Sequence, residues 1–197
     1  MRALFLTFAA IGLLTTSAPA QNRDIDISAF IRNTSQAGTL IQDPAAPISF
    51  QLAPGWSLKN GIRWGDHEST LWFVEAASGI TVALYYQSPL HPPFPGDAAA
   101  ALRQGMEAKV LQRQRDNGIS DYRVLPDSIQ TRQVGGQPAL SFIAQFTNSG
   151  GNTVGEYMVR VLGKSTKAHF FVVGIPANDI SAFCRRLDPI TESLRIP

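Results

Sequence analysis

Three runs near the middle of the second half decide the fold: Leu140-Ser141-Phe142-Ile143-Ala144-Gln145-Phe146, Glu156-Tyr157-Met158-Val159-Arg160-Val161, and Ala168-His169-Phe170-Phe171-Val172-Val173. Each has strand length and a period of two. Leu140, Phe142, Ala144 and Phe146 share one side of the first run. Tyr157, Val159 and Val161 do so in the second, and Ala168, Phe170 and Val172 in the third. Asn148-Ser149-Gly150-Gly151-Asn152 and Gly163-Lys164-Ser165-Thr166 between them are turn formers. Strands joined by such turns make an antiparallel meander.

Upstream, Ile80, Val82, Leu84 and Tyr86 fall on one face of another strand, with Thr81, Ala83, Tyr85 and Gln87 on the other. Leu71 to Val74 is an apolar run of strand length, and Pro54-Gly55 forms a turn between Phe50-Leu52 and Trp56-Leu58. Tyr122–Leu125 and Ile129–Val134 are shorter strand candidates, and Gly135-Gly136-Gln137-Pro138 is a further turn. Pro89-Leu90-His91-Pro92-Pro93-Phe94-Pro95-Gly96 excludes regular structure, because its prolines delete backbone donors and fix φ. Asp97 then caps a predicted helix over Ala98 to about Arg115, which Asn117-Gly118 ends. A second helix is predicted from about Asp179 to Leu194, with Ile180, Phe183, Leu187, Ile190 and Leu194 on one stripe. Pro189 is expected to kink or split it. Strands, helix, strands, helix is an α+β order: one antiparallel β-sheet with two main helices packed on it.

The first twenty residues read as a signal peptide. Arg2 is their sole charge, Ala3–Leu14 is apolar, and Ala18-Pro19-Ala20 fits a cleavage site. Residues 21–47 are polar and rich in turn residues, and are expected to form an irregular leader. A single domain is expected over 48–197. These features imply an exported protein, periplasmic or secreted, with no membrane span.

Three motifs resemble those of the PsbP-like superfamily, named for an extrinsic subunit of photosystem II and sharing its fold with a small Ran-binding nuclear import factor. Phe50-Gln51-Leu52-Ala53-Pro54-Gly55-Trp56 is similar to that family's opening F-x-x-P-x-G-W strand and turn. Gly136-Gln137-Pro138-Ala139 resembles its mid-domain G-x-P-A/G entry, and Ile190-Thr191-Glu192-Ser193-Leu194-Arg195-Ile196 its closing I-x-x-S-F-x-x. The resemblance spans about Ile48 to Ile196 and implies a PsbP-like fold. It implies no photosynthetic role, because no metal or chloride ligand of those subunits matches a position here.

Composition narrows the chemistry. The formal charge of +2 gives no support for nucleic-acid binding by bulk electrostatics. One Cys excludes an intramolecular disulfide and any multi-Cys zinc site. G-x-S-x-G, H-E-x-x-H and S-x-x-K motifs are missing from the sequence. Asp66-His67-Glu68 reads as a solvated hairpin tip, and Cys184 as core filler on the last helix. No catalytic residue, metal ligand or cofactor is assigned. Tyr85, opposite Leu84 and Tyr86, and Phe94 in the Pro-rich run are the candidates for a ligand or partner surface. The expected function is therefore an exported, non-catalytic domain, a monomer or weak oligomer, that binds a partner protein or small ligand in the cell envelope. The alternative is a hydrolase with a site near His67 or Cys184.

Overall fold

The computed structural model describes residues 22–90 and 96–197, so the signal-like segment and residues 91–95 lie outside it. The order along the sequence is β1 (Asn22–Asp24), a 3-10 turn (Ile27–Phe30), β2 (Ile31–Ser35), β3 (Gly38–Gln42), β4 (Ser49–Leu52), β5 (Trp56–Trp64), β6 (Glu68–Glu75) and β7 (Thr81–Gln87). Helix α1 (Ala98–Arg113) follows, then β8 (Ile119–Val124), β9 (Gln130–Val134), β10 (Gln137–Asn148), β11 (Thr153–Leu162), β12 (Lys167–Pro176) and α2 (Ile180–Glu192). A nine-stranded sheet has the order β1-β5-β6-β7-β12-β11-β10-β8, with β9 also paired to β10, and β2-β3-β4 form a small second sheet. The strand pairs among the described residues are antiparallel. The α+β reading holds.

Period-two alternation divides the large sheet into two faces. On the first, Val82, Leu84, Tyr86, Phe170, Val172 and Val159 are buried beneath α2 and the small sheet. Ile180, Phe183, Leu187, Ile190 and Leu194 meet them as one stripe. Phe50, Trp56, Phe73, Phe170 and Phe183 join these layers, with ring centroids 5.7 to 6.3 Å apart in tilted or edge-on pairs. On the second face, Leu140, Phe142, Ala144, Phe146 and Met158 lie under α1 with Leu102 and Tyr122.

The first and last resemblance motifs meet in space, and the residue before the middle one lies against the last. Ser49 and Arg195 exchange backbone hydrogen bonds of 3.2 and 2.8 Å, and Gln51 N–H donates to Ser193 Oγ at 2.8 Å. At Gly135, where φ is +58°, a Cβ would stand 2.3 Å from the Leu194 carbonyl oxygen. They knit the start of β4, the β9–β10 turn and the C-terminus into one corner, which is a structural role.

Two expectations are corrected. Pro189 does not split the last helix: α2 runs unbroken through it to Glu192. The proline lies near the C-terminal end, and the buried stripe offsets the one backbone hydrogen bond it deletes. Residues 21–47 are not an irregular leader, since from Asn22 onward they carry β1, β2 and β3. Phe30 is 2 % exposed and Ile41 is fully buried. Buried Asp43 accepts from Arg63 Nη2 at 2.9 and 3.0 Å and from Tyr86 Oη at 2.5 Å, tying the segment to the large sheet. The strands are short and their buried residues isolated, so no long apolar pattern marks them; pairing with β4 and β5 supplies the order.

Candidate functional site

α1 packs on the second face mainly over β8, β10 and β11, and reaches β12 through Lys109 and Arg113 at the Phe171 ring. Over β5, β6, β7 and β12 that face stays half open. Trp64 is 39 % and Val173 37 % exposed there, while Trp72, Tyr85, His169 and Phe171 are half-buried. Sheet register builds the surface. Thr70, Tyr85, His169 and Arg160 stand side by side on β6, β7, β12 and β11, and Trp72, Ala83, Phe171 and Met158 make the row two residues along. Trp64 Nε1 donates to Thr70 Oγ1 at 3.1 Å, carrying the surface toward β5.

Aromatic and cationic groups alternate on this floor. The Tyr85 and His169 rings lie 5.8 Å apart, and Lys167 Nζ is 5.8 Å from the Tyr85 ring centre. Lys109 reaches down from α1 to 5.1 Å from the Phe171 ring. The Arg160 guanidinium lies against α1 at Gly105, where a Cβ would fall 2.3 Å from Nη1. A larger residue there would drive the guanidinium away, so the glycine admits it.

Burial governs the electrostatics. It pushes the Lys109, Lys167 and Arg160 pKa values down; beside Lys109 the charge on Arg113 adds to the effect. His169 is held well below the ordinary histidine value, first by burial and then by Arg160, Lys167 and Lys109. It is neutral at pH 7. Tyr85 is pushed up by burial and by Glu68. Fully buried Glu156 is engaged elsewhere: it accepts from Arg113 Nε and Nη2 at 2.8 Å and from Tyr122 Oη at 3.3 Å.

Tyr85 lies on the sheet face opposite Leu84 and Tyr86, between Thr70 and His169, and is half-buried. Phe94 lies outside the described residues. His67 sits in the β5–β6 turn, its carbonyl accepting from Ser88 N–H at 2.8 Å. Cys184 is 7 % exposed on α2, and burial together with Asp188 pushes its thiol up to about 12. Among the described residues, no cluster of three His, Cys, Asp or Glu could hold a metal ion. A depression of about 260 Å³ at the β8 edge, lined by Asp121, Arg123, Gln145, Phe146, Thr147 and Thr153, holds no histidine or thiol.

Sequence reading missed Lys109, Arg160 and Lys167, and placed His169 only in general terms. A signal was available. Arg160 and His169 are polar residues in central strands, on the side opposite Val159 and Phe170.

No family model matches this protein, and no curated protein matches it. Solved structures do. The solution structure of cyanobacterial PsbP (CyanoP) from Synechocystis sp. PCC 6803 is similar with a TM-score of 0.53 at 11 % identity, over 95 % of this protein and 99 % of that one. A protein from Bacteroides thetaiotaomicron gives 0.49 at 12 % identity, over 82 % of this protein and 49 % of its own length. LpqN of Mycobacterium tuberculosis, described as involved in cell envelope biogenesis, gives 0.47 at 12 % identity, over 79 % and 87 %. With the corner that joins the first and last motifs beside the β9–β10 turn, the near-complete mutual coverage of the cyanobacterial structure establishes that this protein has the PsbP-like fold.

Proposed function

We propose that this protein is an exported, non-catalytic domain of the cell envelope, a monomer or weak oligomer, that binds a partner protein or small ligand on the half-open face of β5, β6, β7 and β12. The observation that carries this reading is the face itself. Among the described residues α1 leaves most of it uncovered, reaching only its β12 border, yet its floor holds half-buried aromatic rings interleaved with cations. Surfaces that combine accessible aromatics with positioned polar groups are those used for recognition. The signal-like segment supports export.

The surroundings of Cys184 speak against the hydrolase alternative at that residue. A thiol pushed up to about 12 is protonated at neutral pH, the reverse of an activated nucleophile. The residue is buried in the α2 stripe.

The experiment is capture from an envelope fraction with the wild-type protein and with a Tyr85→Ala/Lys167→Ala variant, both checked by thermal melting. The reading expects a component retained by the wild type and lost by the variant at equal stability. Equal retention by both would remove the surface from consideration. Mass spectrometry of the exported product is expected to give Gln21 as its first residue.

A further inference from the structure

We propose that the cations along the α1 border of this face form a binding site for a doubly charged oxyanion of the phosphate monoester type. The inference rests on the preceding reading of the face as a binding surface and names the ligand chemistry. Lys109 comes from α1, Arg160 from β11 and Lys167 from β12, with uncharged His169 beside Lys167 on the same strand face. Register sets Arg160 directly across from His169, and His169 across from Tyr85. Lys109 enters from the helix side, over Phe171. Donors therefore approach from the floor and from one wall, the disposition that suits a tetrahedral oxyanion better than a planar carboxylate.

Among the described residues, Lys109, Arg160 and Lys167 take part in no salt bridge; Lys109 lies over the Phe171 ring, Lys167 over the Tyr85 ring and Arg160 against Gly105, with Glu68 acting on Lys167 and Glu156 and Asp116 on Lys109 from farther off. Arg160 Nε is buried with no hydrogen-bond partner among the described residues. A partly desolvated guanidinium with no paired carboxylate, as at Arg160, is costly unless an anion completes its set. Elsewhere the protein pairs its partly buried guanidinium groups: Arg63 with Asp43, Arg113 with Glu156, Arg132 with Asp188. Glu156, the buried carboxylate on this side of the sheet, is already engaged by Arg113 and Tyr122. Glu68 faces Tyr85 and Lys167 from β6 and borders the site. Toward β7 the floor continues through Ala83 and Tyr85, which are only half-buried among the described residues and give a phosphate group an approach.

The same chemistry is offered by a soluble phosphate ester and by a lipid headgroup, so the test has two arms. Calorimetric titration with inorganic phosphate at low ionic strength is expected to show saturable binding. Arg160→Met and Lys109→Met are each expected to weaken it about tenfold to a hundredfold, the effect of losing one charge-assisted hydrogen bond. Arg115→Met, at an exposed position, is expected to leave it unchanged. In the second arm, co-sedimentation with phosphatidic acid vesicles, absent with phosphatidylcholine and lost in Arg160→Met, assigns the site to a headgroup; phosphate binding without co-sedimentation assigns it to a soluble ester. No saturable phosphate binding, or binding that Lys109→Met and Arg160→Met leave intact, overturns the proposal. If Arg160→Met melts early, Lys109→Met decides. Envelope capture that still depends on Tyr85 and Lys167 while phosphate fails to bind would sink the oxyanion site and leave the surface reading standing.

Discussion

Cys184 lies one turn after Ile180 on α2, on the stripe that meets the sheet, and its thiol is pushed up to about 12 by burial and Asp188. The folded protein is expected to react slowly with an alkylating reagent at pH 7 and quickly once unfolded; fast labelling of the folded protein at that pH would overturn the core assignment. Cys184→Ser is expected to lower stability by about 1–3 kcal/mol, read by urea denaturation, because the hydroxyl is left short of partners. The sign of the pH dependence follows. A thiol raised in the folded state contributes stability that is complete below its ordinary value of 9.0 and is lost as pH rises from there toward about 12. Cys184→Ala therefore flattens part of the alkaline slope. At this scale the sequence was legible where a local period sets the outcome: the α2 stripe put Cys184 inside, and strand alternation put Tyr85 opposite Leu84 and Tyr86. It was not legible at the cation cluster. Lys109, Arg160 and Lys167 come from three elements, and only the β11–β12 register and the docking of α1 bring them together.

The two helices are held differently. α2 presents a continuous apolar stripe, whereas α1 buries Leu102 alone and leans on half-buried Met106 and Val110. Polar anchoring makes up the difference. Arg113 in the last turn of α1 bridges to Glu156 on β11, and Tyr122 on β8 donates to the same carboxylate. Arg113→Met leaves a fully buried carboxylate without its cation and is expected to cost about 3–5 kcal/mol. Adding Glu156→Gln to that variant removes the stranded charge and is expected to recover a large part of the loss. A double-mutant cycle by chemical denaturation measures it, and additive losses would show that the pair does not anchor α1. Asp97 marks the start of this helix in the sequence, because its carboxylate accepts from Ala99 N–H at 2.8 Å. Strand ends were harder to read. The apolar run Leu71–Val74 is only the middle of β6, which begins at Glu68 because pairing with β5 and β7 continues through its polar residues.

At the scale of the whole molecule, the 22–47 segment turns a sheet with one helix on each face into a closed core. β3 pairs with β4, β1 with β5, and Phe30, Ile41 and Ala46 join the cluster that contains Phe50, Leu52 and Phe73. Composition hid this. The segment's strands are short, β1 and β2 are exposed at every residue and β3 is buried only at Gly38 and Ile41, so its contribution rests on a few buried positions rather than on a periodic pattern. A truncated protein beginning at Ile48 would uncover Phe50 and Leu52 and leave Arg63 and Tyr86 without Asp43. Such a truncation is expected not to reach the native state, as judged by loss of near-ultraviolet circular dichroism and of a cooperative thermal transition. Point substitutions keep the test independent of truncation. Ile41→Ala, at a fully buried position, is expected to cost about 2–5 kcal/mol, whereas Ile31→Ala, 42 % exposed on β2, is expected to stay within about 0.5 kcal/mol of the parent. Equal small effects at both positions, with a stable truncation from Ile48, would show that the first strands rest on the domain without supporting it. A large loss at Ile41 alone would place them in the core that folds as one unit.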